Sequence, residues 1–217
     1  MDPKIAETFN LLVALIFSLS CHEFAHAWVA KLQGDSTAED EGRLTINPIP
    51  HIDMMGTIIL PLIMSITGMG ILGWAKPVPV NLRNLKNQRW GHMYVAAAGP
   101  IANLILCFIA VLVVTIYQVK FGKPDSRDLV MAIAQPMIYI NAILAVFNMI
   151  PLAPLDGGTV FTSFLPEYLR QKYDEYIAPY GMFILIALLL TNSFAWIWAL
   201  ASGYIGISTQ VALLIAT

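Results

Sequence analysis

Charge is scarce in this chain. Only 12% of its 217 residues are Asp, Glu, Lys or Arg, about half the share an ordinary soluble domain carries. That excludes a solvated globular surface of normal make-up. Long polar stretches are scarce too, so no separate soluble domain is expected and residues 1–217 read as one domain. There is no internal repeat and no low-complexity tract. Cysteine is nearly absent: Cys21 and Cys107 both lie in apolar runs, where two free thiols are expected rather than a disulfide. The net charge of −2 points to no partner by itself, and no nucleic acid is expected.

Apolar sequence is abundant. The chain is 58% hydrophobic, with runs at 9–29, 94–119, 129–154 and 176–217. The first three are near or above the ~20 residues that a spanning helix needs. The expected fold class is an all-α polytopic membrane protein with about five to six membrane helices, short extended or β segments, and a re-entrant hairpin at 57–73. The first run is not expected to be a cleaved signal, because its polar cluster lies inside the apolar segment.

Local signals divide the chain further. A helix over 8–31 ends at Gly34-Asp35. In the polar segment that follows, "RLTI" alternates and predicts a short strand. "KPVPV" is an edge strand or extended chain, because its prolines lack the ladder donor. Helices are predicted over 92–119 and 129–150, an amphipathic stretch over 159–174, and a helical hairpin over 176–217 turning at 191–193. The tryptophans mostly flank the spans, as an aromatic belt does.

Within the first run stands "CHEFAHA". Positions i and i+4 share one helix face, so His22 and His26 can bind one metal. Glu23, about 100° round the helix, can reach a water beside that metal. This is the HExxH arrangement of two ligands and a general base. Burying an ionisable group mid-membrane costs about 2.5 kcal/mol or more, which favours a functional reading. The alternative is structural: histidines bonded to neighbouring helices, with Glu23 as their counter-charge.

A catalytic zinc takes three protein ligands and one open position. Asp156 is the outstanding third candidate, in "PLAPLDGG" at a helix break. Pro151 and Pro154 stiffen the backbone there, and Gly157 and Gly158 relax its limits. HExxH in a membrane helix, with the distal Asn148, Pro151, Pro154, Leu155, Asp156, Gly157 and Gly158, resembles the site-2 protease family of intramembrane zinc metalloproteases, peptidase family M50. "GRLTINPIPHID", "GWAKPVPVN" and "AAAGPIAN" resemble its compact prokaryotic form, without PDZ or CBS domains. Met54 stands where a proline is expected. The resemblance implies one zinc on His22, His26 and Asp156, water activation by Glu23, and oxyanion stabilisation by Asn148. It implies a zinc metalloendopeptidase acting in regulated intramembrane proteolysis, with transmembrane protein substrates. The alternative is a metal-binding membrane transporter or a non-catalytic binding homologue.

The site constrains topology. The predicted helices that precede it must end on one membrane side. The loop 74–92 holds Lys76, Arg83, Lys86 and Arg89 and no acid, which places it in the cytoplasm. Asp156 and the end of the first helix then lie cytoplasmically, and 57–73 must re-enter rather than span. The expected location is the cell membrane, with the active site towards the cytoplasm. An extended substrate is expected to pair with "GRLTINP" or "KPVPVN". His51 reads either as a group near the metal or as a loop histidine paired with Asp53. His92 reads as interfacial. Asn103 reads as a helix-packing residue or as a partner of the site.

Overall fold

The computed structural model describes residues 3–67, 73–122, 128–191, 193 and 195–216. In chain order these form α1 (Pro3–Leu32), the single turn α2 (Thr37–Asp40), a π-helical turn (Met54–Ile59) leading into α3 (Leu60–Thr67), α4 (Gln88–Phe121), α5 (Leu129–Asn148), α6 (Asp156–Phe164), α7 (Glu167–Tyr176), α8 (Gly181–Leu190) and α9 (Ala195–Ala216). No strand occurs among the described residues. Helices α1, α4, α5 and α9 are long and apolar enough to cross a bilayer. This is an all-α membrane protein. Four spanning helices, rather than five to six, are found among the described residues: α3 and α8, with 8 and 10 residues, are too short.

Helix α4 is the central post. Asn87 caps it, its side chain accepting from the amides of Arg89 and Trp90, and Gly122 ends it at φ 82°. Small side chains let its neighbours come close: Cys107, Ala110 and Val111 pack with Ala134 and Ala142 of α5 and with Ala201 and Ala212 of α9. Helix α1 meets α4 with His26 beside Val95 and His22 beside Asn103, so the two run antiparallel. Leu15 and Leu19 of α1 pack with Ile140 and Leu144 of α5. Asn103 of α4 meets Asn141 of α5, and Tyr117 of α4 meets Asp128 at the start of α5, so α5 is also antiparallel to α4 and runs the same way as α1, as the shared site requires. Both cysteines are free.

Several local expectations need correction. "RLTI" is a series of bends, not a strand. Arg43 is buried there and donates to the carbonyls of Lys76 and Pro77 at 2.7 and 3.3 Å, which holds the two polar segments together without a ladder. "KPVPV" is extended, but it is anchored by alternate amides of one edge. Trp74 donates to the Gly56 carbonyl at 3.1 Å, Lys76 to that of His51 at 2.9 Å, and Val78 to Glu23 Oε2 at 2.8 Å. Those three donors are used, and Pro77 and Pro79 have none. The stretch 159–174 is two helices, because Pro166 interrupts it as the N-cap of α7. In the hairpin 176–217, turn residue 192 lies outside the described residues.

Residues 68–72 of the expected re-entrant segment also lie outside the description. On either side of them Gly56 and Trp74 share the hydrogen bond just given, and Thr57 Oγ1 donates to the Trp74 carbonyl at 2.8 Å. The chain thus leaves and returns at one point, as a re-entrant hairpin must.

Candidate metal centre

Helix α1 carries His22 and His26 one turn apart, buried at 5% and 7% exposure, their rings near perpendicular with centroids 4.5 Å apart. Asp156 is the first residue of α6. Its Oδ2 lies 3.2 Å from His22 Nε2 and its Oδ1 lies 3.5 Å from His26 Nε2. Ligand atoms of the three residues all lie within 4.8 Å of one another.

The other ring nitrogens are tied back. His26 Nδ1 donates to the Val95 carbonyl at 2.7 Å. A carbonyl only accepts, so Nε2 keeps its lone pair. His22 Nδ1 meets Asn103 Oδ1 at 2.6 Å. The Asn103 amide nitrogen donates to Asn141 Oδ1 at 2.8 Å, and Asn141 in turn donates to Ser18 Oγ and to the Met137 carbonyl, both at 2.8 Å. This buried chain across α4, α5 and α1 fixes the His22 tautomer in the same sense. Both Nε2 atoms face Asp156, whose Oδ2 is buried with no hydrogen-bond partner. Two imidazole lone pairs and a carboxylate with an orphaned oxygen fit one zinc with an open position. Gly99 makes the approach possible: a Cβ there would overlap Nε2 of both histidines.

Asp156 is held from outside. Tyr173 of α7 accepts from the Ala153 amide at 2.8 Å through its hydroxyl, which donates to the Pro151 carbonyl at 3.3 Å. At the far end of α6, Arg89 donates to the carbonyls of Ser163 and Leu165, both at 2.7 Å. A cation at a helix C-terminus suits the helix dipole.

Glu23 is buried, and the Val78 amide occupies its Oε2. It lines a polar cavity of about 380 Å³ with His22, His26, Asp156, His92 and Asn148. Asn148, the last residue of α5, spends one amide hydrogen on the Leu144 carbonyl at 3.0 Å and keeps the other. His51 is buried rather than an exposed loop residue: its Nε2 meets the Thr45 carbonyl at 2.8 Å, and it is not one of the three clustered ligands. Asp53 instead caps the π-helical turn by accepting from Gly56. Sequence reasoning missed Ser18, Asn141 and Val95, and it read Val78 only as part of a substrate-pairing edge. Asn141 and Ser18 carried a signal, since each is polar inside an apolar run; the Val95 carbonyl and the Val78 amide carry none.

The family model described as "Peptidase family M50" matches residues 10–191. "Putative zinc metalloprotease YwhC" of Bacillus subtilis is 37% identical over 184 residues, covering 83% of this chain and 80% of its own. "Putative zinc metalloprotease Rip2" of Mycolicibacterium smegmatis is 31% identical over 188 residues, covering 84% and 68%. "Zinc metalloprotease MJ0392" of Methanocaldococcus jannaschii is 22% identical over 185 residues, covering 83% and 42%. No solved structure matches. A family match over most of the chain and relatives of this likeness lead to one conclusion: the chain belongs to peptidase family M50, the site-2 protease family of zinc metalloproteases.

Proposed function

We propose that this protein is an intramembrane zinc endopeptidase that cuts transmembrane segments of other membrane proteins. The observation that carries the reading is the ligand cluster itself, with Glu23 beside it and with His22, Glu23 and His26 on a helix of membrane-spanning length. One zinc per chain would be held by His22, His26 and Asp156. When bound, it supplies a Lewis acid for the scissile carbonyl and lowers the pKa of water.

The chain's own residues do the rest. Glu23 takes the proton of the attacking water and delivers it to the leaving amine. The free amide hydrogen of Asn148 is offered to the oxyanion as charge develops. The polar cavity lined by His92 and Asp156 admits water. The substrate helix must unwind locally, because its carbonyls are otherwise spent on its own hydrogen bonds. The basic loop 74–92 supports a cytoplasmic site in the cell membrane, and the shared post α4 supports a single catalytic unit.

The test uses the full chain in detergent, as wild type and Glu23→Gln. Stoichiometric zinc in both, with cleavage of single-span peptides by wild type only, is expected. Absence of zinc from the folded wild type would sink the reading.

A further inference from the structure

The mechanism above leaves one cavity unused. A space of about 190 Å³ shares His22, Glu23 and Asn148 with the polar cavity. Beyond those three its wall is apolar. Leu15 and Leu19 of α1 face Ile143, Leu144 and Phe147 of α5 across it, and residues 73–75 close one side. An apolar cavity of about 150 Å³ already admits a benzene molecule, so this one has room for a leucine or phenylalanine side chain.

We propose that this cavity is a specificity pocket that takes one large aliphatic or aromatic side chain of the substrate, from a residue flanking the bond that is cut. The inference rests on the protease reading. The position decides it: a side chain seated there stands beside the base and the Asn148 amide at once, so filling the pocket sets the depth at which the backbone passes Glu23. The side chain arrives from an apolar surrounding, so transfer out of water contributes little. Selection comes from contact: an alanine leaves the wall atoms without partners, and a lysine sets its charge against the Glu23 carboxylate in that wall and ties up the base.

The test uses the zinc-loaded full chain and single-span peptides that differ only by Ala, Leu, Phe or Lys at the positions flanking the mapped cleavage site. Wild type is expected to favour Leu and Phe over Ala by about tenfold in kcat/KM at one flanking position, and to cut the Lys peptide least. Ile143→Trp, which fills the pocket, is expected to bring the Leu:Ala ratio towards one. Leu144→Ala, which widens it, is expected to raise the Phe:Leu ratio. Ratios are taken within each variant, so a general loss of activity does not hide them, and either variant alone suffices. Flat ratios in wild type, or ratios unmoved in the folded variants, would overturn the pocket and leave the protease reading standing. Failure of zinc-loaded wild type to cut any peptide would overturn both.

Discussion

The backbone amide of Val78 donates to the carboxylate of Glu23 at 2.8 Å, across 55 positions of sequence. An extended segment with two prolines thereby orients the base that helix α1 carries. Val78→Pro removes that donor. A hydrogen bond to a charged group is worth about 1.5–3 kcal/mol, so cleavage should fall by roughly tenfold to a hundredfold with zinc content unchanged. Val78→Ala keeps the amide and should lose less. Parallel zinc and rate measurements decide; equal losses in the two variants would count against an orienting amide.

Asn103 fixes the tautomer of His22. Asn103→Leu leaves His22 free to turn and Asn141 without its donor. Groups behind a metal-bound histidine typically matter by about 10–100-fold in metal affinity, so the zinc dissociation constant should rise by that factor. Chelator competition measures it, and an unchanged constant would refute the role.

Gly99→Ala places a methyl against both ligand nitrogens. Overpacking costs about 1–3 kcal/mol, and here the strain falls on the site. The variant should fold less stably and bind little zinc. Full zinc occupancy at wild-type affinity would show that α1 and α4 can move apart.

Asp35 lies just past α1, fully buried. Burial works to raise its carboxyl, but hydrogen bonds from Thr37, Asn84 and the Asn81 amide outweigh that and hold it below the usual carboxylate range. A depressed folded value means stability present above the unfolded pKa of about 3.9 and lost as pH falls through the lower folded one. Asp35→Ala should therefore cost about 1.5–3 kcal/mol near neutrality, and the gap to wild type should narrow in acid. Thermal unfolding from pH 7 down to pH 3 tests this; a gap of constant size would mean that the carboxylate charge is not what matters.

Much of this was legible in the sequence because its signals were strong. His22, Glu23 and His26 stand in oil at helical spacing, and Asp156 follows a proline-stiffened break. Positive charge on 74–92 and the need for a shared site call for a segment that returns to where it left, and Gly56 does lie beside Trp74. The rest was hidden for physical reasons. Alternation in "RLTI" suggested a strand, but its arginine turns inward to hold carbonyls instead. The length of 176–217 suggested two crossings, but α8 is only 10 residues long. Backbone groups such as the Val95 carbonyl look alike in every residue, so no sequence reveals which of them will hold a ligand.

The rung shared by Gly56 and Trp74 has a consequence for how such chains can vary. The segment between the two residues is a handle; its described part, residues 57–67, is rooted at that rung and also meets α1, where Ser65 Oγ and Thr8 Oγ1 stand 2.9 Å apart. Lengthening, shortening or exchanging the handle need not change the span between its two roots. Trp74, Lys76 and Val78 are then carried forward in fixed order from that rung to the base. What is attached to the handle beyond its two roots need not disturb the alignment of Glu23.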